Sequence, residues 1–197
     1  MQESDNYLSQ ALKGLRKQRN WSLDQAAAQT GVSKAMLGQI ERAESSPTIA
    51  TLWKISKGFQ TSISYFLEPP TAPARDADNQ AGKPVQKVFA ADSLQVTPLF
   101  PYDASLGFEL LELTLMPGAV RLSEPHDQGV IEHVMVIEGA MEVLEDGRWI
   151  LLPQRSAVRF AADKPHGYRN LTEQASVFYN LIHYPPGYDK PKVGNLR

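Results

Sequence analysis

Lys34, Ala35 and Gln39 lie within six residues of one another and carry three different kinds of recognition chemistry. A lysine ammonium donates to O6 and N7 of guanine. A glutamine amide pairs with N6 and N7 of adenine, and an alanine methyl touches the methyl of thymine. Met36, Leu37 and Ile40 fall on one helical face by the 3, 4 spacing. That turns Lys34, Ala35, Gly38 and Gln39 outward, with Ser33 and Met36 at the margin, as a small polar surface suited to a DNA groove.

Such a surface needs a helix to carry it and a second helix to brace it. Ser22 with Gln25 three residues on is a capping box that starts the bracing helix. Gly31 can enter the left-handed conformation that ends it. Ser33 then caps the helix bearing Lys34 and Gln39. Two short helices joined at Thr30-Gly31-Val32 form the helix-turn-helix plan. Tyr7, Leu8, Ala11, Leu12 and Leu15 recur at helical spacing, which predicts a first helix over Asn6–Arg19. Thr48 caps a fourth helix through Ile49, Leu52, Trp53 and Ile55 to Gly58. A last short helix, Ser62–Leu67, ends before Pro69-Pro70.

Residues 6–67 strongly resemble the lambda-repressor/Cro-like, or xenobiotic-response-element, family of DNA-binding domains. The matching residues are Leu15-Arg16, Arg19, Ser22-Leu23, Ala27, Thr30 through Ser33, Leu37, Ile40-Glu41, Ser46-Pro47-Thr48, Leu52 and Ile55. The resemblance implies a structural pair between Arg16 and Glu41. Base contacts are expected from Lys34, Ala35 and Gln39, with Ser33 and Met36 beside them. Arg19, Ser22, Thr48 and Lys54 are better placed for phosphates, which position a protein without specifying sequence. Ser22 also presents a helix amino terminus, itself attractive to phosphate. Lys13, Lys17 and Lys57 read as ordinary solvated charges.

The charge distribution agrees. The chain of 197 residues carries a net charge of −2, but residues 1–68 hold eight Lys/Arg against six Asp/Glu. The remainder is therefore acidic, and a basic head on an acidic body suits a DNA-binding module tethered to something else. At 42% hydrophobic and 21% charged the composition is that of an ordinary soluble protein. There is no run of eighteen apolar residues and no secretory signal, so no membrane partner and a cytoplasmic location are expected. With no cysteine, any metal must be held by histidine and carboxylate.

Residues 69–84 contain no aromatic or large aliphatic side chain and are expected to form a linker. They separate a helical domain, 1–68, from a second domain, 85–197, that includes a short tail. After Pro84 the period becomes strand-like. Strands are expected at Val85–Phe89, Leu94–Phe100, Phe108–Leu115, His133–Glu138, Ala140–Leu144, Arg148–Leu151, Ala157–Phe160 and Ser176–Tyr184. Turn signals separate them, which indicates an antiparallel barrel or jelly roll.

Within this region Gly118, Glu124, His126, Glu132 and Gly139 follow the spacing of the first cupin motif. Gly147, Pro153, His166 and Asn170 follow the second. The region departs from the pattern where Glu124 replaces the first of two usual histidines, where the His-to-Glu gap is long, and at Arg155-Ser156. The resemblance implies an all-β cupin domain, with Glu124, His126, Glu132 and His166 facing its interior. Two imidazoles and a carboxylate suit a divalent metal. The alternative is a metal-free polar pocket for an organic effector. His133, next to Glu132, is expected on the opposite face, and His183 reads as ordinary structure. Arg121, Arg159, Tyr179 and Trp149 are further candidates whose facing strand parity leaves open.

The domain pair resembles bacterial regulators with an amino-terminal helix-turn-helix and a carboxy-terminal cupin sensor. In the helix-turn-helix it stands close to the sulfur-utilization regulator branch. The resemblance implies a DNA operator, a small-molecule effector and a homodimer formed through the barrels. Two other readings remain open. One is a metal-dependent oxidoreductase like the hydroxypropylphosphonate epoxidases, with His126, Glu132 and His166 as a facial triad. The other is a constitutive DNA binder whose barrel only dimerises.

Overall fold

Short-range signals position the helices. The structure, a computed structural model, describes residues 2–67, 89–91 and 93–188. It forms two compact units that divide near Pro69; the expected linker, 69–84, lies outside the described residues. In the helical unit α1 is Gln2–Gln18, α2 Leu23–Thr30, α3 Lys34–Glu41, α4 Ile49–Phe59 and α5 Ser64–Leu67. The first helix begins earlier than the apolar period implied, because its first turn is polar and carries no periodic signal.

Each cap acts as its side chain allows. Ser22 accepts from the Gln25 backbone N–H at 3.1 Å, and the Gln25 side chain accepts from the Ser22 N–H at 2.8 Å. Gly31 ends α2 at φ 66°, where a β-carbon would be strained. Ser33 and Thr48 cap α3 and α4 through the N–H groups of Met36 and Thr51. Ser62 accepts from the Tyr65 N–H ahead of α5.

The core these helices enclose is Leu12, Leu37, Ile40, Ile55, Phe59, Ile63, Phe66 and their neighbours, all buried. Arg16 locks α1 to α3: Nε and Nη2 donate to the two Glu41 oxygens at 2.6 and 2.7 Å. Its Nη1 reaches the carbonyl of Trp21 at 2.8 Å. The α2–α4 contact brings backbone to backbone. A β-carbon on Gly58 would lie 2.6 Å from Cα of Thr30 and 2.7 Å from the carbonyl oxygen of Gln29.

Among the described residues the β unit has ten strands: β1 Phe89–Ala91, β2 Leu94–Asp103, β3 Phe108–Leu115, β4 Val120–Ser123, β5 Ile131–Glu138, β6 Met141–Glu145, β7 Arg148–Leu152, β8 Ala157–Ala161, β9 His166–Arg169 and β10 Ser176–His183. They form a six-stranded sheet, ordered β1-β2-β3-β10-β5-β8, and a four-stranded sheet, ordered β4-β9-β6-β7. Neighbouring strands are antiparallel. Burial alternates along β3, β5 and β10, so each has one face in the core.

Two strands escaped the sequence reading. In β4 the apolar Val120 and Leu122 are the exposed residues, the reverse of the usual alternation. In β9 the preceding Lys164-Pro165 reads as a turn that swallows His166. The fifth strand also starts at Ile131 rather than His133, which places Glu132 inside it. Of the expected strand Val85–Phe89, only Phe89 lies within the described residues.

Candidate functional site

In the helical unit, Ser33, Lys34, Ala35 and Gln39 are exposed together on α3, and Met36 is half-buried at their edge. Gly38 is not part of this face. It is buried, and an added β-carbon would meet Arg42 Nη1 at 3.1 Å and Leu23 Cδ1 of α2 at 3.8 Å. Lys34 Nζ lies 2.8 Å from an Asp24 oxygen on α2, and both side chains are exposed. An exposed pair of this kind is worth little and yields readily to another partner.

The expected phosphate contacts divide. Lys54 is exposed. Ser22 and Thr48 are exposed at the starts of α2 and α4 while their oxygens cap those helices. Arg19 is half-buried, donates to the Phe59 carbonyl at 2.8 Å and lies 5.8 Å from the centre of the Trp21 ring. It ties the end of α1 to the end of α4, so part of its donor capacity serves the fold.

In the β unit, His126, Glu132 and His166 converge, with one candidate ligand atom from each lying within 4.8 Å of the others. Strand β5 presents Glu132, β9 presents His166, and the loop after β4 brings in His126. Glu124 is not part of this group: it is exposed on that loop. His133 is on the other face of β5, as alternation requires. His126 Nε2 and Glu132 Oε1 are 2.8 Å apart, and His166 Nε2 lies 3.5 Å from the same oxygen. The other carboxylate oxygen accepts from the Tyr168 hydroxyl and from Asn180 Nδ2, the latter at 2.9 Å.

Tyr168 and Asn180 were not singled out from sequence, although each left a trace. Tyr168 follows His166 by two residues and so shares its face once β9 is known to be a strand. Asn180 sits at a core parity of β10, between Phe178 and Ile182, where an amide needs a reason.

The electrostatics follow from burial and partners. Burial pushes the Glu132 carboxyl up, but His126 and then His166 outweigh it and hold it well below the usual carboxylate range. Burial lowers His166, while Glu132 raises it more, for a net rise. Burial and the Glu132 charge push the Tyr168 hydroxyl well above 10, so it remains a donor.

The donor set fits a divalent cation. His166 Nδ1 lies 2.8 Å from the Lys164 carbonyl and so serves as its donor. In the neutral ring that leaves the lone pair on Nε2, which is buried without a hydrogen-bond partner. An imidazole oriented through its other nitrogen, beside a carboxylate held by outer groups, is how metal ligands are positioned.

Of the four further candidates, Arg121 alone shares the interior face, as the register partner of Tyr168. Arg159 is exposed opposite His133. Tyr179 is paired with Met135 on the outer face of β10. Trp149 lies on the outer face of the four-stranded sheet, 4.3 Å from the Arg169 guanidinium. A surface groove of about 430 Å³ runs past Met135, Ile137, Gln154 and Ala157, and none of the clustered residues lines it.

Residues 12–66 match the helix-turn-helix family and residues 111–183 the cupin domain family. The chain is 49% identical over 185 residues to the HTH-type transcriptional regulator SutR of Escherichia coli strain K12, covering 94% of this chain and 99% of that one. It belongs to that family of HTH-type transcriptional regulators. A crystal structure of an HTH_3 family transcriptional regulator from Vibrio cholerae superposes with a TM-score of 0.76 at 46% identity, over 92% of this chain and 97% of that one. The cupin domain of an XRE family transcriptional regulator from Enterobacter cloacae is 49% identical, with a TM-score of 0.47, over 48% of this chain and 99% of that one.

Proposed function

We propose that this chain is a DNA-binding transcriptional regulator whose helical unit binds an operator and whose β unit senses a small-molecule effector. The observation that carries the reading is the exposed row Ser33, Lys34, Ala35 and Gln39 on a capped, braced helix. One lysine and one glutamine discriminate weakly alone, so a second copy and phosphate contacts must add to the affinity.

Pairing of two copies is supported by the outer face of the four-stranded sheet, where Val120, Leu122 and Leu151 are 54, 72 and 63% exposed. A homodimer would read a roughly two-fold symmetric site. No described helix is long and apolar enough to cross a membrane, and regulators of this kind work in the cytoplasm. The two sheets are read as the halves of a jelly-roll barrel.

His126, Glu132 and His166 would hold a divalent metal, which would supply a Lewis-acid position for an oxygen of the effector. The effector acts only through different affinities for the DNA-competent and incompetent states. Sequencing the DNA that the purified protein retains from a random pool tests the reading. Lys34→Ala with Gln39→Ala should lose the enriched motif while keeping weak, salt-sensitive binding. An unchanged motif would defeat the assignment.

One observation favours a second reading. With Glu124 outside the cluster, two histidines and one carboxylate remain, the donor set of non-haem iron oxygenases. Stoichiometric iron together with oxygen uptake would establish that activity, and their absence would remove it.

A further inference from the structure

The most informative side chain in the β unit is an arginine whose buried Nε has no hydrogen-bond partner among the described residues. Strand β4 pairs with β9 so that Arg121 faces Tyr168 and Ser123 faces His166. Val120 and Leu122, at the other parity, are among the exposed large apolar residues. Arg121 is therefore turned to the interior, on the face that carries the histidine-carboxylate cluster. Its Nε is buried and has no hydrogen-bond partner, and among the described residues it takes part in no ion pair.

The other arginines of comparable burial are satisfied. Arg16 makes three hydrogen bonds to Glu41 and Trp21, and Arg169 pairs with Glu142 while lying over Trp149. The carboxylate of the cluster, on β5 of the other sheet, does not serve it. Glu132 is committed to His126 through one oxygen and to Tyr168 and Asn180 through the other. A buried guanidinium donor without a partner is costly, and such a group facing the interior beside the cluster suits a partner that arrives from outside.

We infer that Arg121 is the anchoring cation of the effector site and that the effector is a small carboxylate. This rests on the reading of the β unit as a sensor. The planar guanidinium fork matches a carboxylate through two parallel hydrogen bonds. Asn180 Oδ1, also buried and unpartnered, offers an acceptor to a hydroxyl or amino group on the same molecule. Cross-strand partners stand roughly 5 Å apart and diagonal ones roughly 7–8 Å. A ligand of a few carbons therefore spans from Arg121 to the cluster.

The test uses the full chain and calorimetric titration with acetate, lactate, succinate, malate, alanine and aspartate, beside lactamide and succinamide as uncharged controls. At least one acid should bind while its amide does not. Arg121→Met should weaken that acid on the order of 10- to 100-fold, with Arg121→Lys in between. Because Arg121 has no hydrogen-bond or ion-pair partner to lose among the described residues, the ligand-free Tm of Arg121→Met should equal or exceed that of the parent.

Equal binding by parent and Arg121→Met, amides binding as well as acids, or no acid binding at all would each overturn the assignment. So would a ligand-free Tm lowered by several degrees, which would make Arg121 structural. The sensor reading fails differently. It falls only when metabolites of every charge class leave both Tm and operator affinity unchanged.

Discussion

The two units keep their working residues in opposite conditions. On α3 the recognition side chains are exposed, and the one ion pair among them, Lys34 with Asp24, is on the surface. In the β unit Glu132 is buried, both its oxygens are in use, and four surrounding side chains depend on it. A surface that must grip DNA can leave its polar groups to water until the groove replaces it. An interior site has no water to lean on and must be satisfied in advance. Substitutions in the first region should therefore change binding and spare the fold, while those in the second should damage the fold first.

The largest effect is expected at the buried carboxylate. Glu132→Ala strands Tyr168, Asn180 and the two imidazoles, and should cost the β unit about 3–5 kcal/mol in urea unfolding. Acidity should act on the same group. Since the folded carboxyl is held below its ordinary value, its contribution is present above the usual carboxylate range and lost as pH falls. His166 is raised, so its contribution is present below its ordinary value and lost as pH rises. Glu132→Gln should flatten both limbs of the curve of β-unit Tm against pH.

Arg16→Ala should be the counterpart in the helical unit, costing about 3 kcal/mol by leaving Glu41 buried and unpaired. DNA binding should decline with the folded fraction. Gly58→Ala comes next, at about 1–3 kcal/mol, because the new methyl meets the Thr30 backbone and one helix must shift. The smallest effect should be at Asp24→Ala. It should change stability by less than about 0.5 kcal/mol and leave operator affinity equal or slightly higher, since Lys34 is freed. A stability loss there as large as at Glu132 would erase the contrast between the units.

What was legible in the sequence was local or periodic. Ser22, Ser33 and Thr48 announced their helices because a cap is satisfied within three residues. The Arg16–Glu41 pair came from family resemblance, as did the clustering of His126, Glu132 and His166. Glu124 shows where spacing stops helping, since nothing in the interval says which way a loop turns one side chain. The short strands β4 and β9 were hidden for separate reasons, outward apolar residues in one and a proline at the entrance of the other. Arg19 reads as a phosphate contact, and its tie to the Phe59 carbonyl is hidden because that group is forty residues away and has no signature in side-chain chemistry.

The commitments of Glu132 bear on how a cupin unit of this kind can diverge. A residue that supports the fold and the site together cannot be exchanged without losing both. New ligand preferences must then arise at positions whose removal leaves no neighbour stranded. Arg121 is such a position in this β unit. Descendants of this chain could change what they respond to through one or two substitutions in β4 while the histidine-carboxylate centre stays as it is.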